Sequence, residues 1–200
     1  YKSEVIKDYF KKKFKKNILL NNKNETFIKK NNFSIRIVNT GKNSLTGGRI
    51  KRIRKYVEKD AYFHMTYGDG LSNVNINKLT KFHLKNKKFA TVTTVKIQVP
   101  QERFGVVYFK NKNTVKEFVE KPDIKEIFIN GGFFVLSSEI FKFIKDDFTR
   151  WEAKPLEKIA KQKQLAAFKH SGFWKCMDTI RDRKYLEQFK NKKFPWNTKN

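Results

Sequence analysis

The hydrophobic pattern of the chain alternates between short apolar runs typical of strands and longer stretches in which apolar residues recur at helical spacing. Strands are predicted at 33–37, 61–67, 89–97, 104–109, 114–120, 127–136 and 165–168. Helices are predicted at 1–16, 50–57, 74–84, 139–144, 156–161 and in the stretch that ends near 189. The first helix is expected to pack its aromatic stripe on the core. Because strand and helix alternate, the pattern predicts an α/β fold with a parallel sheet.

The most informative run is 61–70, which is apolar and aromatic until it ends in Gly68-Asp69-Gly70. It predicts a buried parallel strand that delivers the carboxylate of Asp69 to the C-terminal edge of the sheet, where open α/β sheets bind ligands. The glycines remove side chains on both sides of Asp69, so a bulky ligand or a hydrated metal ion can approach it. A plain turn after a strand is the alternative.

A second aspartate, Asp178, follows the apolar segment 172–177 and precedes the last predicted helix. It is a candidate N-cap for that helix, although capping and metal ligation use different lone pairs and can coexist. Two carboxylates with open coordination positions suit Mg²⁺, which takes its other ligands from water and substrate phosphates. The pair Asp69 and Asp178 therefore indicates phosphoryl or nucleotidyl transfer.

The segment 42–49 is rich in hydroxyl groups and glycine and opens onto a predicted helix. Backbone N–H groups, the hydroxyls of Ser44 and Thr46 and the guanidinium of Arg49 make a candidate cradle for an anion or a nucleotide base.

Composition and charge exclude several classes of function. The 200 residues carry a formal net charge of +27, which ordinarily indicates nucleic acid or an anionic surface as partner. The lysines are dispersed, usually beside asparagine, so solvated faces are the preferred interpretation and specific nucleic-acid binding is not expected. Cys176 is the single cysteine, which fits a reducing, cytoplasmic location, and no apolar run approaches the length of a membrane span.

Familiar catalytic motifs are absent from the sequence, including nucleophile elbows, zinc-protease helices and Walker loops. We therefore expect packing or surface roles for His64, His83 and His170, and a buried apolar role for Cys176.

Motifs along the whole chain resemble the glucose-1-phosphate cytidylyltransferases, within the sugar-phosphate nucleotidyltransferases. These motifs are Val38-Asn39-Thr40-Gly41, Thr46-Gly47-Gly48-Arg49, Tyr67-Gly68-Asp69-Gly70, Arg103-Phe104-Gly105, Glu120-Lys121-Pro122, Ile129-Asn130-Gly131-Gly132-Phe133-Phe134-Val135-Leu136, Trp151-Glu152, Gly172-Phe173-Trp174, Met177-Asp178-Thr179 and Pro195-Trp196.

The resemblance implies a Rossmann-like mixed, mostly parallel sheet flanked by helices. It implies that CTP and glucose 1-phosphate are joined into CDP-glucose and pyrophosphate, early in the synthesis of surface dideoxy sugars, by a homo-oligomer. Asp69 and Asp178 would hold Mg²⁺, with Lys121 as a further catalytic residue. The residues that the resemblance implies for nucleotide binding are Ser44, Thr46, Gly47, Gly48, Arg49 and Gly68. Those that it implies for sugar-phosphate binding are Gly105, Glu120, Lys121, Asn130, Gly131 and Trp174.

The sequence departs from this family at its start. The family's first strand, its G-x-G-T-R loop and its lysine in a P-K-P-M context are absent from these residues. We therefore expect an N-terminally incomplete nucleotidyltransferase domain over 1–190, lacking its first βα unit and inactive alone, with a loose tail at 191–200. A related enzyme with another base or sugar, a basic nucleic-acid binder and a catalytically dead remnant stay open as alternatives.

Overall fold

The computed structural model of the chain describes residues 2–97, 106–109, 111, 113–119, 127–190 and 193–197. The helices are α1 (Ser3–Lys13), α2 (Thr46–Arg52), α3 (Ile76–Asn86), α4 (Lys154–Lys161) and α5 (Ile180–Glu187), with 3₁₀ turns at Lys15–Asn17, Arg54–Tyr56 and Ser138–Phe143. The strands are β1 (Ile18–Asn21), β2 (Glu25–Lys30), β3 (Phe33–Val38), β4 (Phe63–Thr66), β5 (Gly70–Ser72), β6 (Ala90–Ile97), β7 (Val106–Phe109), β8 (Val115–Val119), β9 (Ile127–Leu136), β10 (Leu165–His170) and β11 (Trp174–Cys176).

The chain divides into two compact units. The first unit comprises Tyr1–Ala61 and Ser138–Gln162, and the second comprises Tyr62–Ser137 and Lys163–Asn200.

The first unit contains an antiparallel sheet in the order β1-β2-β3. Strand β3 agrees with the prediction, but β1 and β2 were not predicted from the hydrophobic pattern. These two strands are short, and Thr26 and Ile28 are the two of their residues that are fully buried. Lysines and asparagines at the neighbouring positions hide the two-residue period on which a strand prediction depends.

Helix α1 forms where it was predicted, but its aromatic stripe does not enter the core. None of its residues is buried, and Val5 and Tyr9 are 63% and 55% exposed. Only the last part of the stripe packs, because Phe14 stacks on Phe10 and meets Phe33 edge to face at 5.8 Å. The expectation that this helix buries its stripe is therefore wrong.

The second unit is built on a four-stranded sheet in the order β10-β6-β9-β4. Strands β6 and β10 are parallel, whereas β9 runs antiparallel to both of its neighbours. Among the described strands the sheet is thus mixed, with less parallel pairing than expected. Its core includes Leu79 of α3, which is fully buried. The predicted helix at 74–84 and the predicted strands at 89–97, 127–136 and 165–168 all correspond to described elements.

The interpretation of 61–70 as one buried parallel strand is wrong. Strand β4 covers four residues, lies at an edge of the described sheet and pairs antiparallel with β9. Its side chains alternate, with Phe63 buried and His64 exposed, as expected for a strand with one covered face. The uninterrupted aromatic character of the segment conceals this alternation. The chain then turns at Gly68 and Asp69 and begins the separate strand β5.

Two other expectations can be compared with the described residues. Strands β7 and β8 form the predicted antiparallel hairpin. The tail was expected to be loose, but Trp196 packs against Phe173 and Phe189, with ring centroids 5.7 Å from each. No described helix is both long and apolar enough to cross a membrane.

Helix α5 begins with a capping box formed by Thr179 and Asp182. The Thr179 hydroxyl accepts from the N–H of Asp182 at 3.2 Å, and the Asp182 carboxylate accepts from the N–H of Thr179 at 2.9 Å. Lys175 pairs with the same carboxylate at 2.5 Å, and these contacts hold the pKa of Asp182 well below its usual range. Because Thr179 is the cap, the alternative that Asp178 caps this helix is wrong.

We expect Asp182→Asn to lower the melting temperature at neutral pH. A carboxyl group whose pKa is depressed by folding contributes stability above its unfolded pKa of about 3.9, and that contribution is lost as the pH falls through the folded-state value. The difference in melting temperature between wild type and variant should therefore shrink below about pH 4. Thermal unfolding followed by circular dichroism at several pH values tests this, with Asp8→Asn on exposed α1 as control. A difference that is independent of pH would contradict the assignment.

Candidate functional site

The structure brings Asp69 and Asp178 to neighbouring positions in the second unit. Strands β5 and β11 pair antiparallel, with Gly70 opposite Cys176. The ladder continues one step further, because the N–H of Met177 donates to the carbonyl of Asp69 at 2.9 Å. The register puts Met177 opposite Asp69, with Asp178 one residue further along, so both aspartates lie at the same end of this two-stranded sheet, and both are exposed. Residue types pointed to both aspartates as candidates. They come together at the end of an antiparallel ladder, and not at the C-terminal edge of a parallel sheet as expected.

The surroundings of the two aspartates leave room for a ligand. A side chain added at Gly68 would meet no atom within 4 Å. On the other side, a hydrogen bond from the Cys176 thiol to Asp178 raises the pKa of Cys176. Cys176 is half-buried and hydrogen-bonded to a carboxylate, so the prediction of a buried apolar role for this cysteine is wrong.

The donor set at this position fits Mg²⁺. Two exposed carboxylates at one end of the ladder offer hard oxygen ligands and would leave the remaining coordination positions to water and phosphate. Within the described part of the chain, no group of three or more His, Cys, Asp or Glu residues could hold a metal ion.

Three of the six residues predicted to bind the sugar phosphate meet at a bulge in β9. The pairing of β6 with β9 shifts register between Val92 and Thr94, because Val92 faces Phe134 and Thr94 faces Asn130. The extra residues include Gly131, whose carbonyl accepts the indole N–H of Trp174 at 2.7 Å. Asn130, Gly131 and Trp174 are therefore brought together in the second unit.

The three histidines have packing partners, as predicted. His64 contacts the hydroxyl of Thr80 at 2.8 Å, and buried His83 contacts that of Thr91 at 2.9 Å. His170 lies 3.2 Å from the hydroxyl of Ser72. Burial lowers the pKa of His64 and of His83, so both favour the neutral form.

The predicted nucleotide-binding loop lies in the first unit, and its first helical turn starts earlier than the apolar spacing suggested. Helix α2 begins at Thr46. The N–H groups of Gly47 and Gly48 donate to the carbonyl of Thr149 at 2.9 and 3.3 Å. Because these donors already have protein acceptors, they do not form the open anion cradle that the sequence suggested.

The side chains of Thr46 and Ser44 also make contacts within the chain. The Thr46 hydroxyl donates to Glu152 at 2.6 Å and accepts from the N–H of Trp151 at 3.0 Å. Ser44 is buried, and its hydroxyl lies close to Gly41. These contacts hold the loop in one shape.

Arg49 forms part of the wall of a basic cleft. Its guanidinium donates to the hydroxyl of Thr40 at 2.7 Å and to the carbonyls of Gly41 and Lys42 at 3.0 and 3.3 Å. The cleft has a volume of about 610 Å³. Its charged lining consists of Lys2, Lys7, Lys23, Lys42 and Arg49 with Glu4, so it favours an anionic ligand.

Three predicted site residues, Gly105, Glu120 and Lys121, lie outside the described residues. Sequence reasoning in turn missed the residues that hold the candidate site in shape, namely Tyr67, Asp147, Thr149 and Glu152. Tyr67 and Glu152 lie within the family motifs quoted above, and this is the signal by which they could have been identified. Asp147 and Thr149 act mainly through backbone carbonyls, which leave no trace in residue type.

The comparison with protein families gives a direct result. The family profile described as Nucleotidyl transferase matches residues 4–187. The chain belongs to the nucleotidyl transferase family.

Two relatives in this family are the glucose-1-phosphate cytidylyltransferases of Salmonella typhimurium and Salmonella typhi. Each is 40% identical to the chain over 210 residues, which cover 99% of this chain and 78% of the relative. Among solved structures, HddC from Yersinia pseudotuberculosis complexed with GMP-PN has a TM-score of 0.58 at 23% identity, covering 95% of this chain and 76% of its own. This similarity confirms the α/β fold class of the nucleotidyl transferases.

The close approach of α2 to the segment 147–149 makes a prediction about Gly48. A Cβ atom at this position would lie 2.3 Å from the carbonyl oxygen of Asp147, so Gly48→Ala must displace the backbone. We expect it to lower the free energy of unfolding by about 1 to 3 kcal/mol, measured by urea titration. Gly68→Ala is the matched control, because no atom lies within 4 Å of its added methyl group. Equal effects of the two substitutions would contradict the packing argument.

Proposed function

We propose that the protein joins CTP and glucose 1-phosphate into CDP-glucose and pyrophosphate. One observation supports the reaction class: the ladder of β5 and β11 brings the exposed residues Asp69 and Asp178 to the same end, one position apart in register, and two carboxylates suit the Mg²⁺ that serves nucleotidyl transfer. The choice of CTP and glucose 1-phosphate is supported by the 40% identity to the Salmonella glucose-1-phosphate cytidylyltransferases.

The proposed chemistry needs no nucleophile from the protein. A phosphate oxygen of glucose 1-phosphate attacks the α-phosphorus of CTP, and the bond from that phosphorus to the bridging β-phosphate oxygen breaks in line. Pyrophosphate leaves with the electron pair of the broken bond. The chain's contribution is to hold the two anions at short distance and in line, which supplies much of the rate enhancement in such reactions.

Asp69 and Asp178 are the proposed ligands of Mg²⁺. When bound, the ion neutralises charge that develops on the transferred phosphoryl group. The two side chains hold it through carboxylate oxygens, and the missing side chain at Gly68 keeps their surroundings open to phosphates.

The remaining residues divide between nucleotide and sugar. In the first unit, the residues proposed to form a rigid wall for the nucleotide are Ser44, Thr46, Gly47, Gly48 and Arg49. Hydrogen bonds within the chain set the shape of this wall, and the basic cleft beside it attracts the triphosphate. Asn130, Gly131 and Trp174 are proposed to line the sugar pocket with Gly105. Glu120 accepts hydrogen bonds from glucose hydroxyls, and Lys121 pairs with the sugar phosphate.

A panel of nucleotides tests the proposed substrates in the full-length protein. Pyrophosphate release is measured with CTP, UTP, dTTP, ATP and GTP, each with glucose 1-phosphate, and then with CTP and other sugar 1-phosphates. We expect kcat/KM to be highest for CTP with glucose 1-phosphate. Preference for another nucleotide or sugar would instead assign the protein to a neighbouring activity in the same family.

Asp69→Asn should lower kcat by at least about 100-fold with little change in the affinity for glucose 1-phosphate, since metal ligation matters most where charge develops in the transition state. Turnover at saturating Mg²⁺ and calorimetric titration of glucose 1-phosphate measure the two effects. Asp60→Asn, at an exposed position of the first unit, is the control. Unchanged turnover of Asp69→Asn would remove this residue from the mechanism.

A further inference from the structure

Tyr67 lies between the strand end that carries Asp69 and the bulge that carries Asn130. Its ring is packed against the backbone of Gly132, where an added Cβ would come within 2.8 Å of Tyr67 Cδ2. Gly132 has a φ of +77°, a conformation that favours glycine. The N–H of Tyr67 donates to the carbonyl of Gly132 at 3.4 Å. The ring also meets Phe134 edge to face at 6.0 Å.

Both ends of the Asn130 amide have partners in this arrangement. Its Oδ1 accepts from the N–H of Gly132 at 2.8 Å, and its Nδ2 donates to the phenol oxygen of Tyr67 at 3.5 Å. An asparagine amide can turn over with little change of shape, which exchanges its donor and acceptor ends. The Gly132 N–H can only donate, so it selects the orientation in which Oδ1 faces it, and the Tyr67 hydroxyl then holds the Nδ2 end.

Other contacts hold the backbone of the bulge at Gly131. The indole of Trp174 donates to the carbonyl of Gly131, and a Cβ at Gly131 would come within 2.9 Å of the Thr93 carbonyl oxygen. These contacts hold the backbone of the bulge and do not involve the hydroxyl of Tyr67. The hydroxyl contacts the exposed side chain of Asn130 and restrains it.

We propose that Tyr67 is a positioning residue for the sugar-phosphate site, and that its hydroxyl orients the Asn130 amide for hydrogen bonding to a glucose hydroxyl. This inference rests on the proposed function, in which Asn130 lines the sugar pocket. A second N–H on Nδ2 and a second lone pair on Oδ1 remain for the ligand once the two internal contacts are made. Tyr67 acts through Asn130.

Tyr67→Phe tests the hydroxyl while keeping the ring against Gly132. We expect the Kd for glucose 1-phosphate, measured by calorimetry, and the KM for this substrate to rise about 3- to 10-fold, as typical for the loss of one hydrogen bond. The KM for CTP, kcat and the melting temperature should change little. Tyr62→Phe is the matched control, since Tyr62 is also half-buried but packs on His64 and His83. It should leave all five quantities unchanged.

A double-mutant cycle separates positioning from packing. If Tyr67 acts through Asn130, then Tyr67→Phe should have no further effect on glucose 1-phosphate binding when added to Asn130→Ala. Additive effects, an equal rise in both KM values, or no change in sugar-phosphate affinity would overturn the inference. A wild-type protein that neither binds glucose 1-phosphate nor forms CDP-glucose would instead overturn the proposed function, so the two failures are distinct.

Discussion

Close backbone approach at paired glycines is the constraint on which both parts of the candidate site depend. In the first unit, Gly47 and Gly48 let α2 lie against the carbonyls of Asp147 and Thr149. In the second unit, Gly131 lets β9 approach the carbonyl of Thr93, and Gly132 leaves room for the ring of Tyr67. The missing side chains allow hydrogen bonds and contacts that a methyl group would block, so packing strictly limits what residue can stand at these positions. Candidate ligand-binding side chains are thereby fixed by backbone geometry.

A positive net charge attracts small anions such as phosphorylated substrates as well as nucleic acid. A net charge of +27 produces a positive field that raises the encounter rate with any anion, including a nucleoside triphosphate or a sugar phosphate. The local observation is more specific, because the basic cleft of the first unit gathers Lys23, Lys42 and Arg49 beside the proposed nucleotide wall. Arg49 uses its donors on backbone carbonyls and a hydroxyl rather than on a carboxylate, so its charge is not neutralised by an ion pair in those contacts.

The sequence predicted long, strongly periodic elements well and short antiparallel strands poorly. Helix α3 and strands β6 and β9 carry enough apolar positions for their period to be read, whereas β5 and β11 have three residues each and are defined by each other. The same limit applied to the site. Residue types and motifs identified Asp69 and Asp178, but their adjacency follows from a pairing register that only the fold provides. The contacts of Thr46 with Glu152 and Trp151 span over a hundred residues, beyond the reach of any local pattern.

A tryptophan near the end of the chain packs against the residue that precedes Trp174, one of the proposed sugar-binding residues. Trp196 contacts Phe173, the residue before Trp174, and the indole of Trp174 holds the carbonyl of Gly131. Phe173 is tied down a second time, because its carbonyl accepts from the hydroxyl of Ser72 and from the N–H of Asn73. Trp196 and the segment at Ser72 and Asn73 thus restrain Phe173, which directly precedes Trp174. Since a backbone that is already held loses little additional entropy when a ligand binds, this arrangement favours a preorganised position for the Trp174 indole.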